Sequence, residues 1–185
     1  MKKNKTFFIA STGTEIGKTY ISVNIIKQLL KMNKNVLTLK PILSGFDFKN
    51  IHDCDTAKLL KANNIEVNLE NIKLHTPWLF ERAIAPTLAA EKENKSISFL
   101  KLMKWITNMV NRNNYKPNNF TLIEGAGGIM VPIQNKKTFT DLIKKLNIPV
   151  VLVVGNYLGT ISHTLSVIKV LESINIKIIC IILNQ

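Results

Sequence analysis

Cysteine is scarce in this chain. Cys54 and Cys180 are the only two in 185 residues, too few for a disulfide framework and without the paired spacing of a zinc site. Both read as reduced, structural residues. His52, His75 and His163 have no metal-ligand spacing either, and no Ser or Cys sits in a nucleophile motif, which disfavours zinc and covalent hydrolase chemistry. Long apolar runs are missing too: residues 150–154 and 176–183 fall far short of the ~20 needed to cross a bilayer as a helix. After Lys2, Lys3 and Lys5 only residues 7–10 form an apolar stretch, too short for a secretory signal. The expected location is the cytoplasm, with no membrane partner.

Arginine is nearly absent as well. Apart from Arg82 and Arg112, the 25 basic residues are lysines, set against 12 acidic ones for a formal net charge of +13. Such an excess raises the question of nucleic acid, since basic surfaces bind phosphate backbones by releasing counterions. Specific phosphate and base recognition favours the planar arginine fork, however. The lysines are also scattered among Asn and Ile rather than clustered with aromatics. No nucleic-acid partner is expected, and small anionic substrates remain the partner class that the charge suits.

What is present is enough apolar material, 46% of residues, to build the core of one α/β domain spanning 1–185. Residues 6–10 form a short apolar run that leads into a Gly-containing loop. From 17 to about 32, Ile21, Ile25, Ile26, Leu29 and Leu30 recur at helical spacing. Strand, loop and helix follow in that order. A second strand covers 35–39 and stops at Lys40-Pro41. A short helix is expected at 55–61, with Asp55 read as a helix cap, and a longer one capped by Ser96 or Ser98 runs towards 111. Strands at 120–124, 149–154 and 176–183 complete the pattern, with a helix at 161–173 that turns Leu165, Ile168 and Leu171 inward. Helices alternating with continuous apolar strands predict a mainly parallel sheet covered on both faces. Ligands of such sheets sit at the carboxyl ends of the strands, here 11–19, 40–45, 124–128, 155–160 and 184.

The chemistry-bearing residues fall at those ends. Gly17-Lys18-Thr19, between a strand and an amphipathic helix, supplies the parts of a phosphate loop. Its backbone amides and a helix N-terminus converge on anionic oxygens, a lysine neutralises charge, and a hydroxyl ligates magnesium. The strict pattern would place glycine at 12, where this chain has Thr12. Glu124-Gly125-Ala126-Gly127-Gly128 puts a carboxylate at a strand end with glycines that let a ligand approach the backbone. Lys40-Pro41-Ile42-Leu43-Ser44-Gly45 puts an ammonium and a hydroxyl on the same edge, where the ammonium can stabilise developing charge.

Taken together, Thr14-Glu15-Ile16-Gly17-Lys18-Thr19, Lys40-Pro41-x-x-Ser44-Gly45, Asp55, Glu124-Gly125-Ala126-Gly127-Gly128 with Val131-Pro132, and Gly155-x-x-Leu158-Gly159-x-Ile161-x-His163 resemble the dethiobiotin synthetase family. The five motifs occur in family order over nearly the whole chain. The resemblance implies a P-loop fold and a magnesium- and ATP-dependent reaction of biotin synthesis. In it, 7,8-diaminopelargonic acid takes up carbon dioxide as a carbamate, the carbamate is phosphorylated by ATP, and the second amine closes the ureido ring with release of phosphate. It further implies Lys40 and Lys18 as catalytic lysines, and Thr19, Asp55 and Glu124 as magnesium ligands. Ser44 would contact the diamine. The nucleotide would be held by Thr14, Glu15, Ile16, Gly17, Lys18, Thr19, Tyr20, Asp55, Glu124, Gly125, Ala126 and Gly127, with Asn184 and Gln185 at the base. In the family, two subunits share each site, and the 155–163 loop receives the substrate carboxylate of the neighbouring subunit, so a homodimer is expected.

The chain departs from the family pattern at Ser11, Thr87 and Ser162. It also ends at Gln185, short of the family's usual C-terminal segment, for which the expectation is relaxed base selectivity. Two other readings share the strand, loop and helix order. A partition- or septum-type ATPase switch would carry a signature lysine at the position of Gly13 and has no use for Lys40-Pro41-x-x-Ser44-Gly45. A nucleotide-binding remnant would bind without turnover.

Overall fold

The computed structural model describes residues 5–114 and 118–185. Five parallel strands form the central sheet: β1 (Thr6–Ser11), β2 (Asn35–Leu39), β5 (Asn119–Glu124), β8 (Val150–Gly155) and β9 (Ile178–Asn184), in the spatial order β2-β5-β1-β8-β9. The inner strands are predominantly apolar, and β1 and β8 are buried along their whole length. That pattern requires cover on both faces, as expected of a parallel sheet. On one face lie α5 (Phe99–Asn114), α6 (Phe139–Leu146) and α7 (Thr160–Ser173), packed on Phe8, Leu39, Ile123 and Leu152. On the other, α1 (Lys18–Lys31) and α2 (Asp55–Ala62) cover Phe7, Ile9, Leu122 and Val153. Each wholly buried Leu, Ile or Phe contributes about 1.5–3 kcal/mol relative to exposure, so this double-sided core is the main source of stability.

Strand register positions the site. Leu39 lies opposite Ile123 and Ile9 opposite Glu124, so Lys40 and Glu124 leave neighbouring strands at the same level, beside the loop that follows β1. Proline at 41 ends β2, as expected, but the chain resumes at once as β3 (Ile42–Ser44). This strand pairs in parallel with β4 (Trp78–Phe80) in a separate two-stranded sheet. Between them α3 (Leu69–His75) packs Ile72 on Leu43, Leu60 and Leu79. The α4 helix (Pro86–Lys92) and the small antiparallel pair β6 (Pro132–Gln134) and β7 (Lys137–Thr138) complete the elements.

Three expectations need correction. Asp55 is the first residue of α2, not its cap; Cys54 caps the helix, its Sγ accepting from the Ala57 amide at 3.3 Å. This frees the Asp55 carboxylate for the cleft. On α7 Leu171 is buried and Ile168 packs on the core as expected, Val167 is buried too, and Leu165 is exposed. Leu158, just before α7, and Ile161 and Leu165, one turn apart on it, are all exposed. The last strand is apolar but lies at the sheet edge, with Ile179, Ile181 and Leu183 about half exposed, so cover on both faces stops short of it. Of the two candidate caps for the long helix, Ser98 acts, accepting from the Lys101 amide at 3.3 Å.

Candidate active site

The loop after β1 is shaped by left-handed backbone at Glu15 (φ 59°) and Gly17 (φ 87°). At Gly17 a side chain is excluded twice over. The dihedral disfavours one, and a Cβ there would stand 2.2 Å from Asn184 Nδ2. Asn184 closes the loop from behind by donating to the Ile16 carbonyl at 3.2 Å. No side chain caps the N-terminus of α1, which leaves its first amides directed at the cleft as an anion cradle.

Lys18 folds back into this loop, donating to Ser11 Oγ at 2.9 Å and to the Gly13 carbonyl at 3.1 Å. Burial, reinforced by the nearby Lys40 ammonium, lowers its pKa to about 8. Ser11, where the family pattern has glycine, thus works as the lysine's anchor.

Lys40 is 3% exposed and stands between two carboxylates, 2.6 Å from Asp55 Oδ2 and 2.7 Å from Glu124 Oε1. Burial alone would lower its pKa, but Glu124 and Asp55 outweigh burial and hold the ammonium above its ordinary value. Burial likewise opposes ionisation of Asp55, yet Lys40, with help from Thr19 and Lys58, keeps that carboxyl below its ordinary value. Glu124 is wholly buried. Its Oε1 also accepts from Thr19 Oγ1 at 2.7 Å, and its Oε2 accepts from Ser22 Oγ at 2.6 Å. The segment 75–76 braces this cluster. The Lys40 amide donates to the His75 carbonyl at 3.1 Å, the His75 ring meets the Thr38 carbonyl at 2.5 Å, and Thr76 pairs with Thr56 at 2.6 Å, next to Asp55.

These groups open into a cleft of about 1220 Å³ bounded by the phosphate loop, Lys40, Ser44, Asp55, the 83–86 segment and Ala126-Gly127. The Ser44 hydroxyl is buried without a hydrogen-bond partner among the described residues, a cost that a ligand polar group would remove. Thr14, Glu15, Gly17, Lys18, Thr19 and Tyr20 line the cleft; Ile16 supports it from behind, and Gly125 packs against Phe8. The 155–163 loop reaches the phosphate loop through Tyr157, whose hydroxyl lies 3.4 Å from Thr12 Oγ1 and 2.9 Å from His163 Nδ1. Gln185 is exposed and outside the cleft lining.

Sequence reasoning missed Ser22, the 75–76 brace and the 83–86 wall, and it marked Ser11 only as a departure from the family pattern, not as the partner of Lys18. For Ser22 a signal existed: a small polar residue one helical turn after Thr19, hence on the same face.

The whole described chain, residues 5–185, matches the family model described as an AAA domain. A protein of Methylobacterium nodulans named ATP-dependent dethiobiotin synthetase BioD is 36% identical over 183 residues, covering 97% of this chain and 80% of that protein. One of the same name from Clostridium perfringens is 34% identical over 186 residues, covering 98% and 78%. Among solved structures, the MinC:MinD cell division complex of Aquifex aeolicus matches with a TM-score of 0.57 at 20% identity over 98% of this chain and 68% of that chain. A ParA family ATPase of Chlorobium tepidum matches with a TM-score of 0.52 at 16% identity, over 98% and 74%. These last two are similar in fold alone.

Proposed function

Because the chain belongs to the ATP-dependent dethiobiotin synthetase family, we propose that it carboxylates and cyclises 7,8-diaminopelargonic acid with carbon dioxide and ATP, giving dethiobiotin, ADP and phosphate. The observation that carries this reading is the Lys40 ammonium, buried between Asp55 and Glu124 at the mouth of the phosphate loop. The Ser44 hydroxyl, unpartnered among the described residues, sits in the same cleft. A nucleotide switch needs the loop but has no need of that second, substrate-facing half.

The roles follow from placement. The uncapped start of α1 and the left-handed turns at Glu15 and Gly17 receive phosphate oxygens, and Lys18 leaves Ser11 and the Gly13 carbonyl to meet them. Tyr20, Ala126 and Gly127 border the nucleotide, with Asn184 at the base end. Lys40 stabilises the negative charge that builds on the transferring phosphoryl oxygens, where positioning and electrostatics supply most of the catalysis. Ser44 orients an amine or the carbamate made from it.

Thr19, Asp55 and Glu124 offer a hydroxyl and two carboxylates, hard oxygens that suit magnesium. These donors already surround a cation, since the Lys40 ammonium touches both carboxylates and Thr19 shares Glu124 Oε1 with it. Among the described residues no group of three or more His, Cys, Asp or Glu could hold a metal alone, so phosphate oxygens and water must fill the remaining positions, the usual arrangement for this ion. Bound there, magnesium would neutralise phosphate charge. The exposure of Leu158, Ile161 and Leu165, in and beside the 155–163 loop, supports a homodimer in which these side chains are covered and two subunits share each site. Among the described residues no helix is long and apolar enough to cross a membrane, and we place the enzyme in the cytoplasm.

The lowered pKa of Lys18 gives a pH signature. A polyphosphate favours the ammonium and raises this pKa from about 8, so nucleotide binding near pH 8 takes up a fraction of a proton and weakens as pH rises further. Calorimetry in buffers of different ionisation enthalpy measures that uptake, and its absence would contradict the assignment of Lys18. The same group affects folding. Its folded pKa lies below the ordinary 10.5, so its burial penalty is full below pH 8 and is relieved as pH rises from about 8 to 10.5.

The whole reading is tested by phosphate release with magnesium, ATP and bicarbonate, with and without the diamine. Release that depends on the diamine supports the synthetase; release at the same rate without it indicates a switch ATPase.

A further inference from the structure

We infer that Ser22 is a positioning residue that holds Glu124 in place while the site is loaded, an assignment that rests on the proposed roles of Thr19, Lys40 and Glu124. Glu124 is wholly buried, and its two oxygens have different partners. Thr19 and Lys40 donate to Oε1, both at 2.7 Å, and among the described residues Ser22 alone donates to Oε2, at 2.6 Å. Ser22 is itself wholly buried and lies one turn beyond Thr19 on α1, so its hydroxyl is aimed by the same helix that carries the phosphate loop's Lys18.

In the free protein three donors share the task of fixing this carboxylate. Substrate binding divides them. Thr19 and Lys40 are the two that the proposed reaction recruits for other work, Thr19 as a metal ligand and Lys40 as a counter-charge to phosphate. Ser22 has no access to the cleft and keeps its bond. With Oε1 turned to the metal, Oε2 without Ser22 would be a buried charged oxygen with no donor, and the carboxylate would be free to rotate. The Ser22 hydroxyl removes that cost and leaves Oε1 directed at the cleft. Partners of this kind behind a metal-ligating carboxylate typically change metal affinity by about 10–100-fold when removed.

The test titrates magnesium into the whole protein in the presence of a fluorescent ATP analogue and follows the analogue's affinity, with no turnover required. For Ser22→Ala we expect metal-free affinity within about twofold of the parent and a half-saturating magnesium concentration at least about tenfold higher. Ser22→Thr, which keeps the hydroxyl, should recover most of that shift. A Ser22→Ala protein that titrates like the parent overturns the inference while leaving the metal assignment standing, and so does an equal loss of metal-free and metal-dependent binding. If the parent itself shows no magnesium-dependent gain in affinity, the metal reading fails and the inference fails with it.

Discussion

Lys40→Ala should lower kcat by about 10²–10³-fold, the range seen when one preorganised donor to a developing anion is removed, while the affinity for nucleotide changes by less than about threefold. The split follows from the two environments. Lys18 and the loop amides hold the ground-state phosphates, whereas Lys40 is anchored by Asp55 and Glu124 and is useful chiefly where charge builds up in the transition state. Equal losses of rate and affinity would remove it from that role. The substitution also leaves two carboxylates without their shared cation. Removing one partner of a buried ion pair usually costs about 3–5 kcal/mol. Asp55 has water on one side, which favours the low end, so melting should fall by roughly 6–12 °C. Magnesium should restore more of that loss in the variant than it adds to the parent, because the ion would take the place the ammonium vacates. Differential scanning calorimetry with and without magnesium reads both effects.

Gly17→Ala should weaken nucleotide binding by about 100-fold, or roughly 2.8 kcal/mol at 1.4 kcal/mol per decade. At φ 87° a Cβ is strained by about 1–2 kcal/mol, and here it also strikes Asn184 at 2.2 Å. The loop escapes by turning its amides away from the cradle or by expelling Asn184 from its bond to Ile16. Combining Gly17→Ala with Asn184→Ala removes the collision but not the strained dihedral, so affinity should return only in part. Binding by the single variant within about threefold of the parent, measured by titration calorimetry, would mean that the loop is not the phosphate cradle.

The sheet was largely readable in the sequence because its strands are short, predominantly apolar runs set between polar loops and helical patterns. The strands at 35–39 and 6–10 and the helix after Gly17 fall within a residue or so of their observed ends. The three-residue strands β3 and β4 were not readable, since so short a run carries no period and their pairing depends on a distant segment. Periodicity on α7 marked an apolar helix but not its orientation, because residues on both its core side and its outer side are apolar. Lys40, Ser44 and Glu124 stood out as strand-end punctuation, whereas Asp55, at a helix start, entered only through the family resemblance. Their partnerships were not: nothing in the spacing of Lys40, Asp55 and Glu124 says that one ammonium bridges both carboxylates. That follows from the register of β2 on β5 and from Cys54, not Asp55, capping α2.

Phosphoryl transfer and ring closure are proposed to share this one cleft. Supplying carbon-labelled bicarbonate with magnesium, ATP and 7,8-diaminopelargonic acid, and counting labelled dethiobiotin against phosphate, tests this most directly. One labelled ureido carbon is expected for each phosphate released, with both products falling by about 10²–10³-fold in Lys40→Ala. Phosphate released without labelled product, or nucleotide bound with neither product formed, would contradict the proposal.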